Sequence, residues 1–267
     1  MRTFGKLVKI NMQEELSYKS AFISGIICQF AFGFMDVILY CAYFESGSVQ
    51  PLTLSQTVSY IWLQQAFFAI FCYSDTNRVK ITKKILSGDV AYQLLKPINL
   101  YDYWYFDTVG RTLAMVSLRF LPIIAVSAIL PAPFNLSLPI SVCGFVLFLV
   151  SLAIGTFLIV AIKMFAYLAV LYTMDAKGVF ALTVSVCSLL AGAVVPIPLM
   201  PDVLQKILNF LPFRYASDLP YRIYIGSINT TDALVQIGIQ IFWLAFMIAL
   251  GRVLLTHKSK KLVVQGG

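Results

Sequence analysis

Long apolar runs separated by short polar stretches are the feature that most limits what this chain can fold into. The first run, Ser20 to Tyr43, is long enough to cross about 30 Å of hydrocarbon as an α-helix. Five more follow, at Leu54–Tyr73, Val109–Leu130, Leu138–Ile162, Gly178–Val195 and Ala233–Leu255. With 60% of its 267 residues hydrophobic and only 12% charged, the chain is predicted to be an all-α polytopic membrane protein. We expect six transmembrane helices in a single domain, residues 1–267.

The basic residues indicate an orientation for these helices. The short stretches after the first and third runs contain no Lys or Arg. The N-terminal segment, residues 74–108, the link from Lys163 to Lys177 and the C-terminal tail are all basic. By the positive-inside rule, both termini are predicted to be cytoplasmic. The formal charge of +8 is then explained by cytoplasmic loops, and no nucleic-acid partner is expected.

Two segments outside the spans are expected to be helical. Residues 1–19 carry an apolar stripe opposite a basic face, which predicts a helix lying in the membrane interface; the alternative is a frayed polar tail. The external segment 196–232 alternates prolines with aromatic residues, and Asp202 to Leu211 can form a short helix that Pro212 stops. A re-entrant hairpin before the last span is favoured over an ordinary loop.

Residues 74–108 form the longest polar interruption and are predicted to face the cytoplasm. Arg78 to Leu86 is basic and compatible with a helix, which Ser87 and Gly88 would end. Asp89 can cap a short helix that must stop before Pro97, and Asn99 can cap the helix of the third span. Exposed apolar side chains on the short helix would suit a groove of a soluble protein, and these are Val90, Tyr92, Leu94 and Leu95. A simple interfacial connector is the alternative.

Charged residues inside the apolar runs are costly in a membrane and are candidates for function. Asp36 lies in the outer half of the first run, and Arg119 lies deep in the third. An ion pair between them is expected if these helices pack together, either to fix packing or to serve a substrate or proton site. Arg111 is close enough to the inner interface for its guanidinium to reach water. Lys163, Asp175 and Lys177 are expected to be interfacial anchors, and Glu14 and Glu15 to lie on a solvated helix face.

Several kinds of chemistry are missing from the sequence. His257 is the only histidine and lies in the basic tail, so neither a His-based catalytic pair nor a two-histidine metal site is expected. The five cysteines show no close paired spacing. No G-x-x-x-x-G-K-[ST] sequence occurs, so nucleotide binding of the Walker type is not expected here. The chain is therefore predicted not to be an enzyme, to hold no metal or cofactor, and to need another polypeptide for ATP-driven work.

Two motif regions resemble a known family. Residues 87–104 carry a small-Gly-acidic start, Ser87-Gly88-Asp89, and a Leu-Leu-basic-Pro stop at 94–97. Residues 189–226 carry a Gly-x-x-x-Pro from Gly192 to Pro196, a Leu-Pro-Phe at 211–213 and an aromatic residue shortly before Gly226. These motifs and the order of the runs resemble the ABC-2 type permeases, in particular the branch of ABC-2 family transporter proteins.

The resemblance implies a membrane subunit of an ABC exporter in a bacterial-type cytoplasmic membrane, moving a drug, peptide, lipid or glycan outward. It implies ABC ATPase subunits, which carry the ATP and Mg, and a second copy or a paralogous permease as dimer partner. The ATPase-coupling residues would be Asp89, Val90, Tyr92, Leu94, Leu95, Lys96 and Pro97. The external re-entrant residues would include Gly192, Pro196, Pro212, Phe213, Tyr215 and Gly226.

Two other classes of function compete with this interpretation. An ion-coupled secondary carrier would need no ATPase, but the chain has few intramembrane acids besides Asp36 and no evident inverted repeat. An intramembrane enzyme is disfavoured further, because no pair of nucleophile and base can be assembled from the residues in the apolar runs.

Overall fold

The computed structural model describes residues 9–11, 13–14, 19–46, 51–71, 75–90, 92 and 99–259, and the regular structure within them is helical. The α-helices are α1 (Lys19–Glu45), α2 (Leu54–Phe67), α3 (Asp75–Leu86), α4 (Leu100–Ile129), α5 (Val142–Thr173), α6 (Ala176–Leu190), α7 (Asp202–Asn209), α8 (Arg214–Tyr224) and α9 (Thr230–Ser259). Short 3₁₀ helices follow α2 at Phe68–Ile70 and precede α7 at Ile197–Leu199. Residues 9–11 and 13–14 are helical, and the rest of the predicted interfacial helix lies outside the described residues.

Among the described residues, four helices are long and apolar enough to cross a membrane: α1 over Ile23–Glu45, α4, α5 and α9. The helix α6 is apolar but has only 15 residues, and α2 has 14 before its 3₁₀ extension. Each of the six apolar runs of the sequence therefore contains one of these helices. The chain is a multi-pass membrane protein.

The helix α2 lies in the centre of the bundle, packed against α1, α4 and α8. Its residues from Thr57 to Phe67 are buried, including the polar side chains of Gln64 and Gln65. A helix surrounded by protein can carry amides and hydroxyls because neighbouring helices supply their partners. The Gln64 side chain, for example, donates to the carbonyl of Gly192 at 2.9 Å.

The helix α5 differs from the prediction at its C-terminal end. We expected a separate link from Lys163 to Lys177, but α5 continues through Lys163 to Thr173, and only Met174 and Asp175 separate it from α6. Lys163 is buried rather than an interfacial anchor. Lys163 is about 32 Å along the helix from Val142, so α5 continues beyond the length of about 30 Å that is needed to cross a hydrocarbon core.

Contacts between distant segments place the basic parts of the chain at one end of the molecule. Asp102 at the start of α4 forms an ion pair with Arg252 near the end of α9, at 2.7 Å. The Lys258 ammonium lies 4.1 Å from the centre of the Tyr172 ring at the end of α5. A buried apolar cluster joins the same end and includes Ile81, Val90, Leu100, Trp104, Tyr167, Phe180 and Leu255. We call this end the basic end, and the other, which contains residues 130–141 and 191–230, the loop end.

Candidate functional site

The loop end is built around the segment predicted to be re-entrant. Gly192 ends α6 with a φ of +79°, and an added Cβ there would lie 2.7 Å from Cγ1 of Ile197. Only glycine fits both that backbone conformation and that space. Pro196 then begins the 3₁₀ turn, and α7 runs from Asp202 to Asn209 between Pro201 and Pro212 as expected. The chain then continues into α8.

The helix α8 is buried along nearly its whole length, in contrast to α7, most of which is exposed. It packs against α5, where Gly155 leaves no room for a Cβ because the backbone carbonyl of Ala216 occupies that place. The Tyr215 hydroxyl donates to the carbonyl of Asn209 at 3.0 Å and fixes α8 to the end of α7. Phe213 immediately precedes α8, and Gly226 follows it with a φ of +66°. The predicted re-entrant residues therefore surround one buried helix.

A buried charge cluster sits on this helix. The Asp218 carboxylate has 0% exposure and accepts a hydrogen bond from the Tyr60 hydroxyl of α2 at 2.9 Å. Arg214 lies 3.5 Å and Arg222 4.0 Å from its Oδ2 atom, one helical turn away on either side. Burial raises the pKa of the Asp218 carboxyl, and the two guanidinium groups and the Tyr60 hydrogen bond oppose that rise. We call these four residues the Asp218 cluster.

The cluster also reaches the last long helix. The Arg214 guanidinium donates to the Gln236 side chain of α9 at 3.2 Å. One turn further, Gln240 of α9 is fully buried and donates to the carbonyls of Tyr215 at 2.6 Å and Ser151 at 2.8 Å. A single amide thereby joins α5, α8 and α9. The helix α8 is therefore held by polar contacts to α2 and α9.

The basic end contains the segment predicted to contact an ATPase. The helix α3 ends at Leu86, Gly88 has a φ of +79°, and the chain becomes helical again at Val90. Val90 is 2% exposed and packs in the apolar cluster, so the expectation that it is exposed is wrong; Tyr92 is 72% exposed. The Asp89 carboxylate accepts from the Ser87 hydroxyl at 2.6 Å. Four further candidates of this set, Leu94, Leu95, Lys96 and Pro97, lie outside the described residues.

Arg111 joins the N-terminal region to α4. We expected its side chain to extend toward water, but it is buried, with Glu14 at 2.9 Å and Asp107 at 3.8 Å from the guanidinium. Glu14 is therefore an ion-pair partner and not only part of a solvated face. This pairing links residues that are distant in the sequence, and no local pattern indicates it.

Asp36 of α1 and Arg119 of α4 lie at different heights along α1, as their neighbours show. The Asp36 carboxylate accepts from the Gln65 side chain of α2 at 3.4 Å. The Arg119 guanidinium lies beside Gly25, where an added Cβ would be 3.1 Å from its Nη1 atom. Gly25 precedes Asp36 by about 16 Å along the helix. The helices α1 and α4 do pack together, but no ion pair between Asp36 and Arg119 occurs among the described contacts.

The Asp218 cluster is the part of the site that sequence reasoning missed. Arg214, Asp218 and Arg222 recur every four residues, which places them on one helix face, and this spacing was the available signal. No local pattern predicts that Tyr60 contacts Asp218, because the two residues are 158 positions apart in the sequence. Within the described residues, no group of three His, Cys, Asp or Glu side chains is arranged to hold a metal ion.

Comparison with known proteins identifies the family. No curated protein and no solved structure matches the chain. The family profile described as ABC-2 family transporter protein matches residues 29–266, which is most of the chain. That match includes both motif regions, the C-terminal part of α1, the other long apolar helices and the Asp218 cluster. The chain therefore belongs to the ABC-2 family of transporter proteins and is a membrane-spanning permease subunit of an ABC transporter.

Proposed function

We propose that this permease exports an amphipathic cargo, a drug, peptide, lipid or glycan, using ATP that a separate subunit hydrolyses. The proposal rests on the contacts of the helix α5, which packs against α3 at the basic end and against the buried helix α8 at the loop end. A movement of α3 therefore has a direct physical route to the re-entrant helix. Such a route is what ATP-driven transport requires when the nucleotide is bound by another polypeptide.

The ATPase contact is proposed to lie at Asp89 to Pro97. This segment follows the basic helix α3, and the exposed Tyr92 ring offers apolar surface beside it. ATP and Mg would be bound by the partner, since this chain has no Walker sequence and is proposed not to be an enzyme by itself. Buried Val90 would anchor the segment to the bundle, so force applied to the segment would reach α3 and α4.

The arrangement in the membrane is proposed to be six spans with the basic end in the cytoplasm. The helices α2 and α6 would be the two shorter spans, and both termini would be cytoplasmic, in a bacterial-type cytoplasmic membrane. The wide apolar exposure of α1 and α9 leaves surface for lipid and for a second permease, either the same chain or a paralogue.

Co-purification tests the ATPase contact. Affinity purification of the full chain from its native membranes in mild detergent should retain a protein with a Walker sequence, identified by mass spectrometry. The double replacement Leu94→Asp and Leu95→Asp should release it, because two charges would have to enter an apolar groove. Val203→Asp, on the exposed surface of α7 at the other end, is the matched control and should retain it. Equal retention by all three proteins would refute the assignment of the contact to this segment.

A second candidate function rests on Asp36. This carboxylate is half-buried within α1, and among the described residues its one hydrogen-bonding partner is a neutral amide. An intramembrane acid of that kind suits an ion-coupled carrier. The two functions separate when cells are depleted of ATP and given a proton gradient. Transport that continues and is lost in Asp36→Asn would favour the carrier, and transport that stops would favour the ATP-driven exporter.

A further inference from the structure

An open groove of about 670 Å³ lies between α3 and the start of α6 at the basic end. Its lining includes Arg78, Val79 and Thr82 from α3 and Lys177, Ala181 and Val184 from α6. The groove opens onto the surface of the molecule, because Val79 is 57% exposed and Lys177 and Ala181 are exposed as well. It is remote from the Asp218 cluster at the loop end.

The groove combines two kinds of surface that one ligand would have to match. Arg78 of α3 and Lys177 of α6 each contribute one positive charge. The apolar side chains of the lining form the adjacent wall. The nearest acid on α6, Asp175, is engaged at the start of its own helix, where its carboxylate accepts from the backbone N–H of Gly178 at 3.2 Å. A ligand with an anionic group and an apolar tail would satisfy both surfaces.

We propose that this groove binds an anionic phospholipid of the cytoplasmic leaflet. The phosphate would lie between Arg78 and Lys177, and an acyl chain would follow Val79 and Ala181. Charge complementarity supports this occupant, because basic pockets between membrane helices on the cytoplasmic side attract anionic headgroups. The position of the groove beside α3 would let the lipid hold α3 against α6 from outside the bundle. The inference requires only that the basic end faces the anionic leaflet and not that the chain exports anything.

Lipid retention tests the proposal with the full chain in detergent. Purified protein is mixed with phosphatidylglycerol, with phosphatidylcholine or with inorganic phosphate, and bound lipid is measured by native mass spectrometry. Phosphatidylglycerol should be retained in preference to phosphatidylcholine, and millimolar inorganic phosphate should not displace it. Lys177→Gln should weaken retention about fivefold, the effect of one cation near a lipid surface. Its matched control is Lys83→Gln, an exposed lysine of α3 that does not line the groove.

A second pair of variants separates the groove from general attraction between charges. Ala181→Trp would fill the apolar wall without changing any charge and should abolish retention. Leu182→Trp, at the neighbouring exposed position outside the lining, should leave it unchanged. Thermal unfolding of the four variants without lipid establishes that each one is folded before retention is compared.

Four results would overturn the proposal. Equal retention of phosphatidylcholine and phosphatidylglycerol would show that the cations do not select the lipid. Displacement of phosphatidylglycerol by inorganic phosphate would indicate a site for a free anion. Equal loss in Lys83→Gln would indicate nonspecific attraction to the basic end. Full retention in Ala181→Trp would place the lipid elsewhere, with the groove covered by a second copy of the chain or by another part of the same chain.

Discussion

The residue that best shows how this permease tolerates charge is Asp218. Its carboxylate is inaccessible to solvent, yet one oxygen accepts a hydrogen bond from Tyr60, and two arginines flank the other. A buried charge is acceptable only when partners replace the water it has lost. The Asp218 cluster contains two cations and one anion. Removing the carboxylate therefore leaves two guanidinium groups without a counterion in the cluster.

We therefore predict that Asp218→Asn destabilises the protein strongly. The amide keeps the shape of the side chain but not its charge, and breaking a buried ion pair costs about 3 kcal/mol. Thermal unfolding of the purified permease in detergent measures the effect. Asp202→Asn on exposed α7 is the control and should change stability by less than about 0.5 kcal/mol. Equal unfolding temperatures for the two variants would show that the cluster does not hold α8 in place.

At the scale of elements, the contact between α5 and α8 is a close approach of backbone to backbone. Gly155 faces the backbone carbonyl of Ala216, and a neighbouring amide from Gln240 fills the remaining space. Backbone cannot rotate away as a side chain does, so the two helices must separate if anything is added here. Small residues at such crossings are how membrane helices approach closely.

Gly155→Ala is predicted to loosen the packing of α8 although alanine is the better helix former. The added methyl group should cost about 1–3 kcal/mol through overpacking, seen as a lower unfolding temperature and faster hydrogen exchange in α8. Gly238→Ala in α9 is the matched control, since an added Cβ there meets nothing within 4 Å. That variant should be neutral or slightly more stable. A neutral Gly155→Ala would contradict the close contact.

At the scale of the whole molecule, two ends differ in chemistry. The basic end contains the ion pairs Glu14–Arg111 and Asp102–Arg252, and the loop end contains the buried cluster and the proline-rich turns. Because cytoplasmic loops of membrane proteins are enriched in Lys and Arg, we infer that the basic end faces inward.

Labelling of single cysteines tests this orientation. In a variant whose five native cysteines are replaced, Thr230→Cys at the loop end should react with a membrane-impermeant maleimide in intact cells. Thr173→Cys at the basic end should react only after the cells are permeabilised. Both positions are exposed, so a difference between them reports on the side of the membrane and not on burial. The reverse pattern would invert the topology.

Local signals predicted much of the fold. The apolar runs each contain a helix, Asn99 caps α4 by accepting from Tyr101 N–H at 3.0 Å, and Gly88 follows the end of α3 as expected. The predictions that were wrong concern which segments pack against each other in the folded chain. The burial of Arg111, of Lys163 and of Val90 depends on how the helices pack, and the partner Glu14 of Arg111 is distant in the sequence. Hydropathy indicates where an apolar run ends, but a helix can continue beyond that residue. The length of α5 was underestimated for this reason.

The helix α5 has a mechanical consequence. Its 32 residues contain no proline and make a rod about 48 Å long, whereas α4 contains Pro122 and α2 tightens into a 3₁₀ turn. A tilt of about 5° about one end would move the other end by about 4 Å. Because α3 and α8 both lie against it, α5 can act as a lever through which a displacement at the basic end is transmitted to the loop end.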